Sequence, residues 1–198
     1  MSRLTLNKAS LSREQQRLTA FSQFLPSLDL KRRQLMAARK EHQATLAQLQ
    51  AGLTSLEAKV ARELPMLGSS RLDLAGLVWL EDVEFNWESL VGVKLPVLAA
   101  VRLGHKHYGF LGMPHWVDQL VNLLDEFLNR SIEAEVGARR LALLEDALRS
   151  TTQRFNLLDK VLIPRTRANI KRIELLLADQ MRAEVVRAKI SKQKRKGA

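Results

Sequence analysis

From Leu18 to Glu63 a seven-residue repeat places Leu18, Phe21, Leu25, Leu28, Arg32, Leu35, Arg39, His42, Leu46, Leu49, Leu53, Leu56, Val60 and Glu63 on one narrow stripe of a helix. Ten of these fourteen slots are apolar. A helix lying on a globular core would show a broader stripe, and a 3.5-residue period held over several heptads implies a left-handed supercoil with a partner helix. Ser12 followed by Gln15 resembles a capping box, which puts the helix start near Ser12, and Pro65 puts its end at residue 64. Pro26 falls inside the repeat, where it removes one backbone hydrogen bond and is expected to bend the helix at a cost of about 3 kcal/mol.

The partner is found in the same chain. Leu141, Leu144, Leu148, Thr151, Phe155, Leu158 and Leu162 repeat the alternation of three and four, and Thr166, Ile170, Ile173 and Leu177 continue it with two successive steps of four. Two fours in a row are a stutter, which locally unwinds a coiled coil. The stutter falls at Pro164, so a change of winding is expected there. Pro114 suits the first turn of this second helix, which extends toward Ile190. The resulting fold class is mainly α: a long antiparallel two-helix coiled coil of N- and C-terminal helices with a small β-hairpin between them. At about 1.5 Å per residue such helices far exceed a compact domain of this length, so a rod is expected. The seam of this pair is carried by Leu18, Leu25, Leu46, Leu53, Leu148, Phe155, Leu162 and Ile173.

The hairpin is read from a change of period. Leu77, Trp79, Val83, Phe85 and Trp87 alternate with Val78, Leu80, Asp82, Glu84 and Asn86, and a second apolar run follows at Val91, Val93, Leu95 and Val97. An isolated hairpin is marginal in water, so this one must pack on the helices or on another protein. Trp79, Phe85 and Trp87 are its expected anchors for a partner subunit, with a local core against the helices the equal alternative. The organisation expected is residues 1–64 as the N-terminal helix, 65–113 as the connecting segment with the hairpin, and 114–198 as the C-terminal helix and basic tail.

Charge is unevenly distributed. The formal net charge of +11 comes from the ends: residues 1–40 hold nine Lys/Arg against two Asp/Glu, residues 41–159 eleven against sixteen, and residues 160–198 twelve against three. An antiparallel hairpin would gather both positive segments at one end. The tail from Arg187 to Lys196 offers a nucleic-acid footprint, but aromatics for base stacking are absent from Asn156 onward and no groove-binding module is present. No nucleic acid is therefore expected as a partner. The dense donors Arg165, Thr166, Arg167, Asn169, Lys171 and Arg172 exceed what a structural seam requires and point to a polar contact.

Other functions find little support. The chain has no cysteine, which removes thiolate chemistry and disulfides and suits a reducing, cytoplasmic setting. Its longest apolar run, Leu90 to Val101, is broken by Lys94 and Pro96 and falls short of the roughly 20 residues that cross a bilayer, so no direct membrane insertion is expected. Phosphate-cradling, dinucleotide and zinc-protease motifs are absent, and no catalytic residues and no cofactor are expected. His105, His107 and His115 lie close in sequence, but with no cysteine and no nearby acidic partner they read as loop histidines, so no metal site is expected.

The run Thr151-Thr152-Gln153-Arg154, then Asn156, then Lys160-Val161-Leu162-Ile163-Pro164-Arg165-Thr166-Arg167-Ala168-Asn169-Ile170 resembles the C-terminal helix signature of the D subunit of V/A-type rotary ATPases. Leu30-Lys31-Arg32-Arg33-Gln34-Leu35 is similar to the family's basic patch in the first helix, and Gly112-Met113-Pro114-His115-Trp116 resembles the entry to the second. The sequence before Leu30, with Pro26, departs from the commonest family pattern. The resemblance implies a non-catalytic central-stalk rotor, cytoplasmic and peripheral to the membrane. Its basic tip would enter the hexamer of catalytic A and B subunits. The small F subunit would clasp it near the hairpin, and a funnel-shaped subunit would link it to the membrane rotor. Arg165, Arg167, Lys171 and Arg172 are the expected hexamer contacts. The alternatives are a basic coiled-coil scaffold or a nucleic-acid-binding hairpin unrelated to ATPases.

Overall fold

A computed structural model of the chain describes residues 5–69, 74–109 and 113–196. The first helix, α1, spans Lys8–Glu63 and passes through Pro26 without a break. A short 3-10 turn follows at Pro65–Ser69. Strands β1, Val78–Leu90, and β2, Val93–His105, form a two-stranded antiparallel sheet. Helix α2, Trp116–Leu157, leads through a π turn at Leu158–Leu162 into α3, Ile163–Lys196. This is the mainly helical fold read from the sequence: two long helical arms with a hairpin between them.

Three boundaries differ from expectation. Helix α1 starts four residues before Ser12 because Asn7, not Ser12, caps it: the Ser10 amide donates to Asn7 Oδ1 at 2.7 Å, and the Leu11 amide reaches the Asn7 carbonyl at 3.1 Å. Only one residue can cap a helix start, and the upstream Asn wins by adding a turn of backbone bonds. At the second helix, Pro114 stands just outside the first turn, its carbonyl accepting the Val117 amide at 3.0 Å. Strand β2 runs on to His105, eight residues beyond Val97, the last residue of the apolar run read from the sequence. Residues 110–112, among them the Gly112 of the expected entry to the second helix, lie outside the described residues.

Contacts divide the chain into two units. One joins the N-terminal residues up to Arg32 with those from Ser150 onward; the other is Arg33–Arg149. In the first, Asn169 of α3 meets Glu14 of α1, while Phe155, near the end of α2, lies under the Arg32 guanidinium, 4.4 Å from ring centroid to Cζ. The two segments are therefore antiparallel. Ile173 is fully buried and Ile163 nearly so.

The second unit is antiparallel as well, and it holds two cores. Leu56 of α1 and Val117, Leu120 and Leu123 of α2 enclose one core with Leu64 and Leu77. Gln119 Nε2 donates to Glu63 Oε2 at 2.9 Å beside it. The other gathers Leu35 of α1, Leu144 of α2 and Leu95 of β2, all three fully buried, with Leu90, Val91 and Val93 of the hairpin turn packed around them. Next to it Arg39 Nε donates to Glu145 Oε1 at 2.9 Å. The hairpin is thus pinned at its base by Leu77 and at its tip by Leu95.

The heptad reading holds at side-chain level: none of its fourteen α1 slots is exposed, including the polar ones Arg32, Arg39, His42 and Glu63. The stutter takes a form that sequence alone did not specify. The Ile163 amide bonds to the Leu158 carbonyl, five residues back, so one surplus residue is absorbed in a single wide turn. With that residue discounted, the five steps from Phe155 through Leu158, Leu162, Thr166 and Ile170 to Ile173 cover seventeen residues, close to a 3.5-residue period. The seam keeps its phase through the turn. Pro164, which has no amide hydrogen to donate, falls just beyond the π turn, where the usual bonding pattern is already interrupted.

Candidate functional site

Two surfaces carry polar or aromatic groups beyond what the folding of each unit requires. In the first unit, α3 divides the donor-rich run between its faces. Thr166 is buried, its Oγ1 donating to the Leu162 carbonyl at 2.7 Å. The Asn169 amide group donates to Glu14 Oε2 at 3.1 Å. Arg165, Arg167, Lys171 and Arg172 are exposed, and none makes an ion pair among the described residues. The sequence offered all six as a polar run and only these four as expected hexamer contacts; helical periodicity separates an inward pair from the four outward cations.

The inward pair explains a residue that sequence reasoning missed. Glu14 is only 5% exposed although its neighbours on α1 are polar. Its carboxylate accepts from Arg17 Nη1 at 2.6 Å as well as from Asn169. A buried carboxylate needs such partners. The signal was an acid, one of two among residues 1–40, within a strongly basic N-terminal segment. Around it Ser10, Arg13, Arg17 and Phe21 of α1, Thr5 before it, and Leu162, Arg165, Thr166 and Asn169 enclose a cavity of about 500 Å³.

In the second unit the hairpin presents its aromatics outward: Trp79 is 47% exposed, Phe85 50% and Trp87 65%. The buried residues of the two local cores are aliphatic instead, with Tyr108 and Trp116 packed against one of them. Nor do the three aromatics share one face. The register steps from Leu80↔Leu103 to Asp82↔Arg102, leaving Glu81 as an extra residue in β1. Such a bulge reverses the parity of everything beyond it. Leu80, Val83, Phe85 and Trp87 consequently line one groove of about 460 Å³ with Pro96 and with Ile132 and Val136 of α2. Trp79 lies on the opposite face, across from Gly104, where a Cβ would run into the indole ring. Glycine there makes room for the aromatic ring.

The hairpin turn is built from Val91 and Gly92 with φ of 53° and 74°. Two positive φ values match the twist of the strands, but a β-branched residue rarely adopts one. Packing of Val91 in the core with Leu35 and Leu144 offsets that strain. Glu88 of β1 further ties to Arg140 of α2 at 3.4 Å, and His42 of α1 lines a cavity beside Arg140. Burial first, then the Arg140 charge, holds the His42 imidazole below its usual pKa.

Leu18, Leu25, Leu46, Leu53, Leu148, Phe155 and Leu162 are half-buried, and Ile173 is fully buried. Among the three histidines, His105 does find an acid: its Nε2 lies 2.9 Å from both carboxylate oxygens of Asp125, distant in sequence but adjacent through the fold. Tyr108 donates to Asp118 Oδ1 at 2.7 Å, and this bond raises the phenol pKa. Among the described residues no helix is long and apolar enough to cross a membrane.

Comparison with known proteins places this arrangement in a family. Residues 10–193 match the family model for the D subunit of ATP synthase. The V-type ATP synthase D subunit of Borreliella burgdorferi is 29% identical over 97% of this chain and 95% of its own length. The Chlamydia caviae protein of the same name is 30% identical over 98% and 94%, and that of Chlamydia muridarum 31% identical over 98% and 96%. With nearly end-to-end matches carrying the two helical arms, the hairpin and the basic ends, the chain belongs to the ATP synthase D-subunit family.

Proposed function

We propose that this chain is the central-stalk axle of a V-type ATP synthase, a non-catalytic subunit that carries torque between the catalytic A/B hexamer and an ion-driven membrane rotor. The supporting observation is the division of labour on α3. Its inward Asn169 binds α1 through Glu14, while Arg165, Arg167, Lys171 and Arg172 stand exposed and, among the described residues, without an ion pair. Exposed cations contribute less than about 1 kcal/mol each to the fold, so they are available for contacts with another subunit.

In this role the first unit enters the hexamer. An asymmetric axle touches the three catalytic interfaces unequally, so its angle and their nucleotide states are coupled through differential contacts. The exposed Phe85 and Trp87 groove belongs to the contact with the small F subunit, and a funnel-shaped subunit joins the stalk to the membrane rotor. The complex sits on the cytoplasmic side, peripheral to the membrane.

Co-expression with candidate A and B subunits tests the reading: the chain is expected to co-purify at about one copy per hexamer. Reversing the charge of Arg165, Arg167, Lys171 and Arg172 together is expected to weaken that association and reduce coupled turnover. Unchanged association and turnover would reject these four as contacts.

A further inference from the structure

A polar cavity lies at the start of α1. It measures about 500 Å³, within the roughly 300–1,000 Å³ typical of small-molecule sites, yet its wall is polar where an apolar ligand would want hydrocarbon. Three arginines from two helices, Arg13, Arg17 and Arg165, are among the residues that line it. Among the described residues neither Arg13 nor Arg165 has an ion-pair or hydrogen-bond partner. The hydroxyl groups of Thr5 and Ser10, 2.6 Å apart, stand beside them.

Glu14 is the one acidic residue in the wall, and its charge is already engaged by Arg17 and Asn169. It anchors Arg17 at one nitrogen and leaves the other donors of that planar fork for a second acceptor. The lining thus carries two positive charges more than it neutralises. Asn7 accepts the Ser10 amide in the first turn of α1, so Ser10 offers the cavity its hydroxyl and not its backbone.

We infer that this cavity binds a phosphate-type oxyanion, either a free inorganic polyphosphate or the phosphate tail of a nucleotide. Arginine suits that ligand because its fork meets two phosphate oxygens at once, and convergent charge-assisted bonds are stronger than isolated surface pairs. Arg13 and Arg165 supply the uncommitted forks, Arg17 a third held in place, and Ser10 and Thr5 the neutral donors. The site lies within one unit of this chain, so it needs no partner subunit and does not rest on the axle reading.

Isothermal titration of the full chain with pyrophosphate, ADP and ATP tests the assignment. Saturable binding is expected, falling at least about tenfold in each of Arg13→Ala and Arg165→Ala. Arg165→Lys, which keeps the charge but loses the fork, is expected to fall in between. Equal affinity for pyrophosphate and ADP assigns free oxyanion as the ligand; clearly tighter ADP or ATP assigns a nucleotide. Unchanged helical circular dichroism shows that the variants fold. No saturable binding at millimolar pyrophosphate overturns the proposal. So does an equal loss of affinity in the control Lys192→Ala/Lys194→Ala, which would mark the binding as diffuse attraction to the basic tail. Co-purification with A and B subunits is a separate readout, and either proposal can fail while the other stands.

Discussion

Leu95→Ala removes the side chain that pins the hairpin tip between α1 and α2. Leu95 is fully buried, with Leu35 and Leu144 as its fully buried companions. Three carbons leave the core, which costs about 2.4 kcal/mol in transfer free energy if the neighbours close the gap. If the gap stays open, the cost approaches about 5 kcal/mol. The neighbours on the hairpin side, Leu90, Val91 and Val93, belong to a two-stranded turn that can settle inward; Leu144 sits in a long helix that cannot. A value near 3 kcal/mol, about 2–4, is expected. Because a two-stranded hairpin is marginal alone, most of this loss should appear as undocking of β1 and β2 and not as melting of α1. Amide hydrogen exchange read by mass spectrometry checks it. Peptides from residues 78–105 should exchange faster by roughly two orders of magnitude, while those around Leu18 should hardly change. A loss under about 1 kcal/mol, or equal acceleration around Leu18, would show that the hairpin tip is not held by this cluster.

Three further outcomes are expected. His42 sits neutral with its pKa lowered by burial and by Arg140, so the unfolded chain takes up the proton first as pH falls. Stability should hold above the ordinary histidine pKa of about 6.5 and decline below it until the folded-state pKa is passed, and His42→Gln should flatten that slope in urea melts at pH 5 to 8. Gly92→Ala places a Cβ at a φ of 74° in the hairpin turn and should cost about 1–2 kcal/mol by thermal denaturation, where the same change at the exposed, unhindered Gly68 costs little. Phe155→Leu keeps apolar volume but removes the ring face under Arg32, and a loss of about 0.5–2 kcal/mol is expected in denaturant titration; no change would mean the 4.4 Å contact contributes nothing.

The sequence carried the fold well where periodicity governs. Heptad spacing found the α1 seam because burial on a helix repeats with the residue count, and every slot from Leu18 to Glu63 is at least half covered. The disturbance near Pro164 was legible as two steps of four, but a stutter can be met either by unwinding the supercoil or by a wide turn. Backbone bonding, which spacing does not encode, selected the wide turn at Leu158–Leu162. The aromatic face of the hairpin was misassigned for a similar reason. Alternation counts residues, and the bulge at Glu81 adds one that pairs with nothing, so Trp79 parts from Phe85 and Trp87. Local competition decided the start of α1: Ser12 with Gln15 was the cap read from the sequence, and Asn7, five residues earlier, takes that place. The candidate site was half visible: the donors Arg165 to Arg172 were conspicuous, but Glu14 pairs with Asn169 across 155 positions of sequence, and no local pattern announces that pairing.

The wide turn at Leu158–Leu162 also says where this chain can change length. A stretch that already holds a surplus residue can give one up by tightening to ordinary α geometry, leaving Phe155 under its neighbour Arg32 and Asn169 still reaching Glu14. A deletion a few residues later, beyond Pro164 but before Thr166, has no such slack. It would bring Arg167 into the covered place of Thr166 and Glu174 into the sealed place of Ile173, forcing two charges inward. Relatives that differ by one residue in the second arm should therefore differ at this turn, while the arm beyond it stays fixed in length.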